Sequence, residues 1–208
     1  DLDAIMQNCR TIKQLVGGRK ICAAVKADGY GHGAPAVARA MSVAGVDMFG
    51  VAMTEEGVEL REAGIRKPII LLTAVPPSDI ETILAHSITT CVCEEQFARR
   101  LSEKAVRRNT EAAVHVNIDT GMARVGLPHQ QAAESILRIA NLPGITLEGI
   151  FTHFACSEDS EISDGQLRLF RGVIRTLKGT GMELPTLHVA NSTATLQMPQ
   201  AYMDCVRA

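Results

Sequence analysis

Apolar runs alternate with segments of helical period seven times along this chain, at intervals of roughly 20 to 35 residues. That alternation is the pattern of repeated βαβ units, and it limits the fold more than any other feature. The runs are residues 21–25, 46–52, 69–72, 88–92, 112–118, 145–151 and 187–189. Helices are expected at 2–16, 35–44, 55–63, 97–105, 132–140 and 167–177. A further one opens at a capping box, Ser78-Asp79-Ile80-Glu81. An open doubly wound sheet and an α/β barrel of (β/α)8 TIM type both fit. The barrel is favoured because Lys26, Arg124, His153 and Asn191 follow the C-terminal ends of different runs. A barrel gathers such ends around one site, whereas an open sheet spreads them along an edge. Residues 1–208 are therefore expected to form one incomplete barrel of about seven strands.

Composition narrows the class. With 46% hydrophobic and 21% charged residues, the chain reads as a globular domain with a sizeable core. A net charge of −2 without a basic stripe argues against a nucleic-acid partner. No apolar run reaches membrane-spanning length. The six cysteines (Cys9, Cys22, Cys91, Cys93, Cys156 and Cys205) have neither C-x-x-C nor Cys/His metal spacing. They read as reduced core thiols of a cytoplasmic protein. His32, His86, His115, His129 and His188 show no ligand spacing, so no metal site is expected.

Chemistry concentrates after the first run. Lys26 ends a buried strand and is followed by Gly29, Gly31 and Gly33. A lysine there is costly to bury and becomes an amine nucleophile when burial lowers its pKa. The pattern suggests a carbonyl held as a Schiff base, and a lysine snorkelling to solvent is the ordinary alternative. The glycines lack dinucleotide-binding spacing and fit a tight turn or close ligand approach. Arg124 closes the polar loop Asp119-Thr120-Gly121-Met122-Ala123-Arg124, and His153 ends the sixth run. Ser192 is expected to cap a short helix whose free N–H groups suit a phosphate.

Taken together, these segments resemble the barrel domain of alanine racemase, a pyridoxal-phosphate (PLP) family of fold type III. Residues 24–33 resemble its PLP-lysine motif nearly residue for residue. Asp119–Arg124, Thr152-His153-Phe154-Ala155 and Ala190-Asn191-Ser192 follow in the family's order. The resemblance implies that Lys26 holds PLP, and that Tyr30, Ser192 and the turn at Asn191 bind its phosphate. It implies that Arg124 reaches the phenolic oxygen and the substrate carboxylate. His153 would lie beside the pyridine ring and orient Arg207, which would donate to the ring nitrogen. An arginine keeps its proton, so the ring would be a moderate electron sink suited to racemisation rather than transamination.

Two departures from the family stand out. Asn117 occupies a position where many members carry a carbamylated lysine. The C-terminal β-domain is expected to lie outside these residues, together with a tyrosine base acting across a homodimer interface. The implied activity is interconversion of L- and D-alanine by two bases, supplying D-alanine for peptidoglycan. A serine racemase, a non-catalytic PLP-binding barrel and a decarboxylase of the same fold type are the alternatives. The isolated segment is expected to be inactive and, with unpaired strand edges, poorly ordered.

Overall fold

The structure is a computed structural model that describes residues 1–208. Nine strands occur, in chain order β1 (Lys20–Ala24), β2 (Met48–Val51), β3 (Ile69–Leu71), β4 (Thr90–Val92), β5 (Ala112–Asp119), β6 (Leu127–Pro128), β7 (Ile145–Phe151), β8 (Thr186–His188) and β9 (Cys205–Arg207). Every pairing is parallel, in the order β3-β2-β1-β9-β8-β7-β5-β4, with β6 beside β5. The ends of that order meet. Ile70 bridges Thr89, and Thr89 exchanges backbone hydrogen bonds with Ile69 and Leu71, both 2.9 Å. The ring is thus an eight-stranded α/β barrel, thinnest at the β3–β4 seam.

The expected barrel is present, but its strand count is eight rather than seven. The additional strand is β9, three residues too short to show a period. It pairs with β1 at Lys20–Cys22 and with β8 at His188, which removes the expected open edges. The physical basis for expecting poor order disappears with those edges.

Helices surround the ring: α1 (Leu2–Leu15), α3 (Ala34–Val43), α4 (Thr54–Glu62), α5 (Ile80–Ala85), α6 (Glu95–Arg107), α7 (Ala132–Ala140), α8 (Ser160–Gly179) and α9 (Ser192–Gln197), with the short α2 (Lys26–Gly31) at the barrel mouth. None is long and apolar enough to cross a membrane. They bury amphipathic faces against the strands, as α6 does with Phe97, Leu101 and Ala105. Asp1 caps α1 by accepting from the amides of Asp3 and Ala4. The expected capping box at Ser78–Glu81 does not form. Residues Pro77–Asp79 make a 3-10 turn, and Glu81 pairs with Lys104 and Arg108 of α6 instead.

Strand alternation divides the apolar residues in two. A core of 45 buried residues lies between strands and helices. Cys22, Met48, Ile70 and Cys205 form a small separate cluster within the ring. Phe151 also lies inside, stacked on His188, and the interior otherwise holds polar or small residues such as His115, Asn117, Gly149, His188 and Arg207, buried on neighbouring strands. A barrel filled this thinly with aliphatic side chains must satisfy its buried polar groups by hydrogen bonding.

Candidate active site

A cavity of about 270 Å³ opens at the C-terminal mouth of the barrel. Lys26, Asn117, Arg124, His153 and Arg207 line it, with Phe151 and Leu72 as apolar walls. Three of the lining side chains are cationic and none is a carboxylate, so the cavity favours an anionic ligand. A second cleft at the N-terminal end is larger, about 450 Å³. Its Arg61 is already committed to the carbonyls of Ile65, Lys67, His86 and Ser87, and serves to tie loops together.

Lys26 opens α2, a turn of reversed hand. Ala27, Asp28, Gly29 and Tyr30 all have φ between 51° and 62°. The left-handed conformation costs L-residues about 1–2 kcal/mol each, so three non-glycine residues make this a strained segment. Gly29 fits because a Cβ there would lie 3.3 Å from the Ala34 backbone. Two carboxylates hold the turn. Glu56 accepts from the amides of Ala27 (2.6 Å), Ala52 (2.7 Å) and Met53 (3.1 Å). Asp28 accepts from the Ala34 amide at 2.7 Å. The Lys26 ammonium, half-buried rather than buried, has no carboxylate partner and sits 6.0 Å from the centre of the Tyr30 ring.

Arg207 is the most constrained cation. Its Nη2 donates to the carbonyls of Thr152 (2.9 Å) and Val189 (3.1 Å) and to Nδ1 of His153 (3.2 Å). Its Nη1 donates to Nδ1 of His188 at 2.9 Å, and its plane lies over Phe151. Arginine has no acceptor, so these contacts define tautomers. His188 must carry its proton on Nε2, which donates to Nδ1 of His115 at 2.7 Å. All three imidazoles are held neutral. Burial, then the Arg207 charge, push His115 down to about 3 and His188 well below the ordinary range. His153 falls to about 4 through burial, Arg207, Arg124 and Lys26. Nε of Arg207 has no acceptor within the chain.

Arg124 lies on an exposed loop held by Asp119, which accepts from the amides of Gly121 and Ala123. Asn117 donates to the Val125 carbonyl at 3.4 Å and leaves the guanidinium unanchored.

The structure therefore brings together Lys26, Arg124, His153 and Arg207, with Tyr30 at the rim. Asn191 and Ser192 do not line the cavity. The cap residue is also different from expectation: Asn191, not Ser192, caps α9. Its Oδ1 accepts from the Ala194 amide and from Ser157, because a carbonyl oxygen one residue earlier reaches the third amide better. His115, His188 and Glu56 were missed as site-supporting residues. Their signals, one histidine in each of two separate strands and an acid at the third position of α4, are weak in isolation.

Fold and cavity together define a (β/α)8 barrel domain whose C-terminal mouth presents one primary amine beside a fixed guanidinium, Arg207, and a free one, Arg124. The chain belongs to the alanine racemase N-terminal domain family, whose model matches residues 1–208. Over 210 residues it is 40% identical to alanine racemase 1 of Caldanaerobacter subterraneus, covering 99% of this chain and 54% of that protein. It is 39% identical to the alanine racemase of Clostridium tetani, covering 100% of this chain and 54% of that protein. Alanine racemase of Clostridium difficile 630 superposes with a TM-score of 0.96 at 36% identity, over 99% of this chain and 55% of that one. The Bacillus anthracis enzyme, solved with bound L-Ala-P, gives 0.90 at 31% identity, over 100% of this chain and 54% of that one. The chain thus spans about half the length of these relatives.

Proposed function

We propose that the cavity is the PLP and amino-acid site of an alanine racemase. One observation carries this reading: Lys26, Arg124, His153 and Arg207 line a single cationic cavity that contains no carboxylate. The donor set fits PLP, an anionic aldehyde with a ring nitrogen. Lys26 supplies the amine that binds the aldehyde. Arg207 offers its uncommitted Nε–H to the ring nitrogen while keeping its own proton. His153, neutral and fixed by Arg207, stands beside the ring. Arg124 is free to take the substrate carboxylate or the phenolic oxygen. Tyr30 at the rim, with Ser192 and the turn at Asn191 beyond the cavity's lining, is assigned the phosphate end. When bound, PLP withdraws electrons from Cα and so eases removal of its proton.

Two-base racemisation needs a proton-transfer group on each face of Cα. Lys26 serves one. Tyr202 cannot serve the other, since it is buried and donates to the Thr195 carbonyl at 2.6 Å. The second base is assigned to a tyrosine of a C-terminal β-domain, contributed across a homodimer interface. The whole protein is then a cytoplasmic enzyme supplying D-alanine for peptidoglycan. The test is D-alanine formation from L-alanine by the full-length protein with PLP, beside serine as competitor. Alanine turnover that disappears in Lys26→Ala is the expected result. Faster turnover of serine, or PLP binding without turnover of any amino acid, would overturn it.

A further inference from the structure

Two thiols outside the cavity lie in van der Waals contact. Sγ of Cys91 and Sγ of Cys93 are 3.4 Å apart. They occupy alternate positions on one extended segment, so both side chains leave the same face. Cys91 is buried in β4, and Cys93 lies one residue beyond the strand and is half-buried. Both line an open cleft of about 340 Å³ with Val75, Glu94, Phe97 and Val125. A small solute can therefore reach Cys93 while Cys91 stays behind it. Neither thiol has a role in the proposed racemisation.

We propose that Cys91 and Cys93 form a reversible dithiol–disulfide site, with Cys93 as the thiol attacked by a hydroperoxide and Cys91 as the resolving thiol. In the first step the Cys93 sulfur attacks the peroxide. An S–O bond forms, the O–O bond breaks, and the thiol proton leaves on the departing alcohol or water. In the second step the Cys91 sulfur attacks Cys93. The S–S bond forms, the S–O bond breaks, and water departs with the Cys91 proton. Two thiols lose two electrons together, and one peroxide gains them.

The other thiols set Cys93 apart. Burial pushes Cys22 well above the usual thiol range and Cys205 up to about 11. Cys156, also half-buried, has no second thiol beside it and donates to the Glu158 carboxylate at 3.6 Å. Cys93 instead is lowered, because Cys91 and the Asn117 amide both donate to its sulfur. Asn117, which acts on the Cys93 sulfur, also lines the candidate active site.

The experiment treats the intact protein with stoichiometric hydrogen peroxide, then alkylates, digests and weighs the peptides. The peptide holding Cys91 and Cys93 should lose two hydrogens and escape alkylation, and dithiothreitol should restore it. In Cys91→Ser, dimedone should trap a sulfenic acid on Cys93. In Cys93→Ser, both the disulfide and the adduct should be lost. Phenylarsine oxide, a reagent that bridges adjacent thiols, provides a readout on the unaltered chain and should protect the peptide from peroxide. Alkylation of both cysteines after Cys156 has been oxidised would overturn the proposal. So would failure of phenylarsine oxide to protect the pair, or a dimedone adduct elsewhere in Cys91→Ser.

Discussion

Arg207 donates to Nδ1 of His188 across 2.9 Å, and this contact determines which nitrogen of His188 carries its proton. The proton on Nε2 then reaches His115, so a cation at the cavity wall is braced by two imidazoles on β5 and β8. Replacing His188 by leucine leaves one Arg207 proton and His115 Nδ1 unpaired in the barrel interior. The expected loss is about 3 kcal/mol of stability. The His188→Gln variant, with an amide oxygen that can accept from Arg207, should recover part of it. Chemical denaturation of His188→Leu and His188→Gln makes the comparison.

The same brace makes the domain acid-sensitive. His115 and His188 are held below the ordinary histidine value of about 6.5, so the unfolded chain binds protons before the folded one. Stability is therefore full above about pH 6.5 and falls as pH drops towards the folded values. Each of these histidines contributes a slope of about 1.4 kcal/mol per pH unit. The melting temperature should decline steadily between about pH 6.5 and pH 5, before carboxylates titrate. A flat profile there would contradict the neutral assignment.

Gly149 is where β7 meets the His115 ring. A Cβ at this position would collide with the imidazole, and the β5–β7 register shifts here between Val114 and His115. Gly149→Ala should cost about 1–3 kcal/mol as an overpacked interior site. Gly172→Ala, where a Cβ meets nothing within 4 Å in α8, should be neutral or slightly stabilising in the same melts.

Glu56 holds the reversed turn that carries Lys26. Without its carboxylate, the amides of Ala27, Ala52 and Met53 lose their acceptor. Glu56→Ala should cost about 2 kcal/mol and speed hydrogen exchange of the Ala27 amide. Glu56→Gln, which keeps one oxygen acceptor, should fall between Glu56→Ala and the unaltered chain.

Much of this was readable from residue order. The strand–helix alternation indicated repeated βαβ units, and the barrel was favoured over an open sheet by Lys26, Arg124, His153 and Asn191 following the ends of different runs. Lys26, Arg124, His153 and Arg207 were legible because each follows or ends a strand, or matches a family motif. Strand β9 was not, since three residues carry no period and its evidence is pairing with β1 and β8. The His115–His188 contact joins residues 73 apart, a tertiary fact that no local pattern encodes. The glycines signalled a turn near Lys26, yet the left-handed Ala27, Asp28 and Tyr30 violate ordinary residue preference and depend on Glu56. Cys91 and Cys93 read as ordinary core thiols because their spacing places them on one face without showing that the sulfurs touch.

The proposed function rests on Lys26 as the amine that binds PLP. The most direct measurement is peptide mapping after incubating the protein with PLP and reducing with borohydride. The expected result is a single pyridoxyl-phosphate adduct on Lys26, absent from Lys26→Ala. A principal adduct on another lysine, or an undiminished yield in Lys26→Ala, would contradict it.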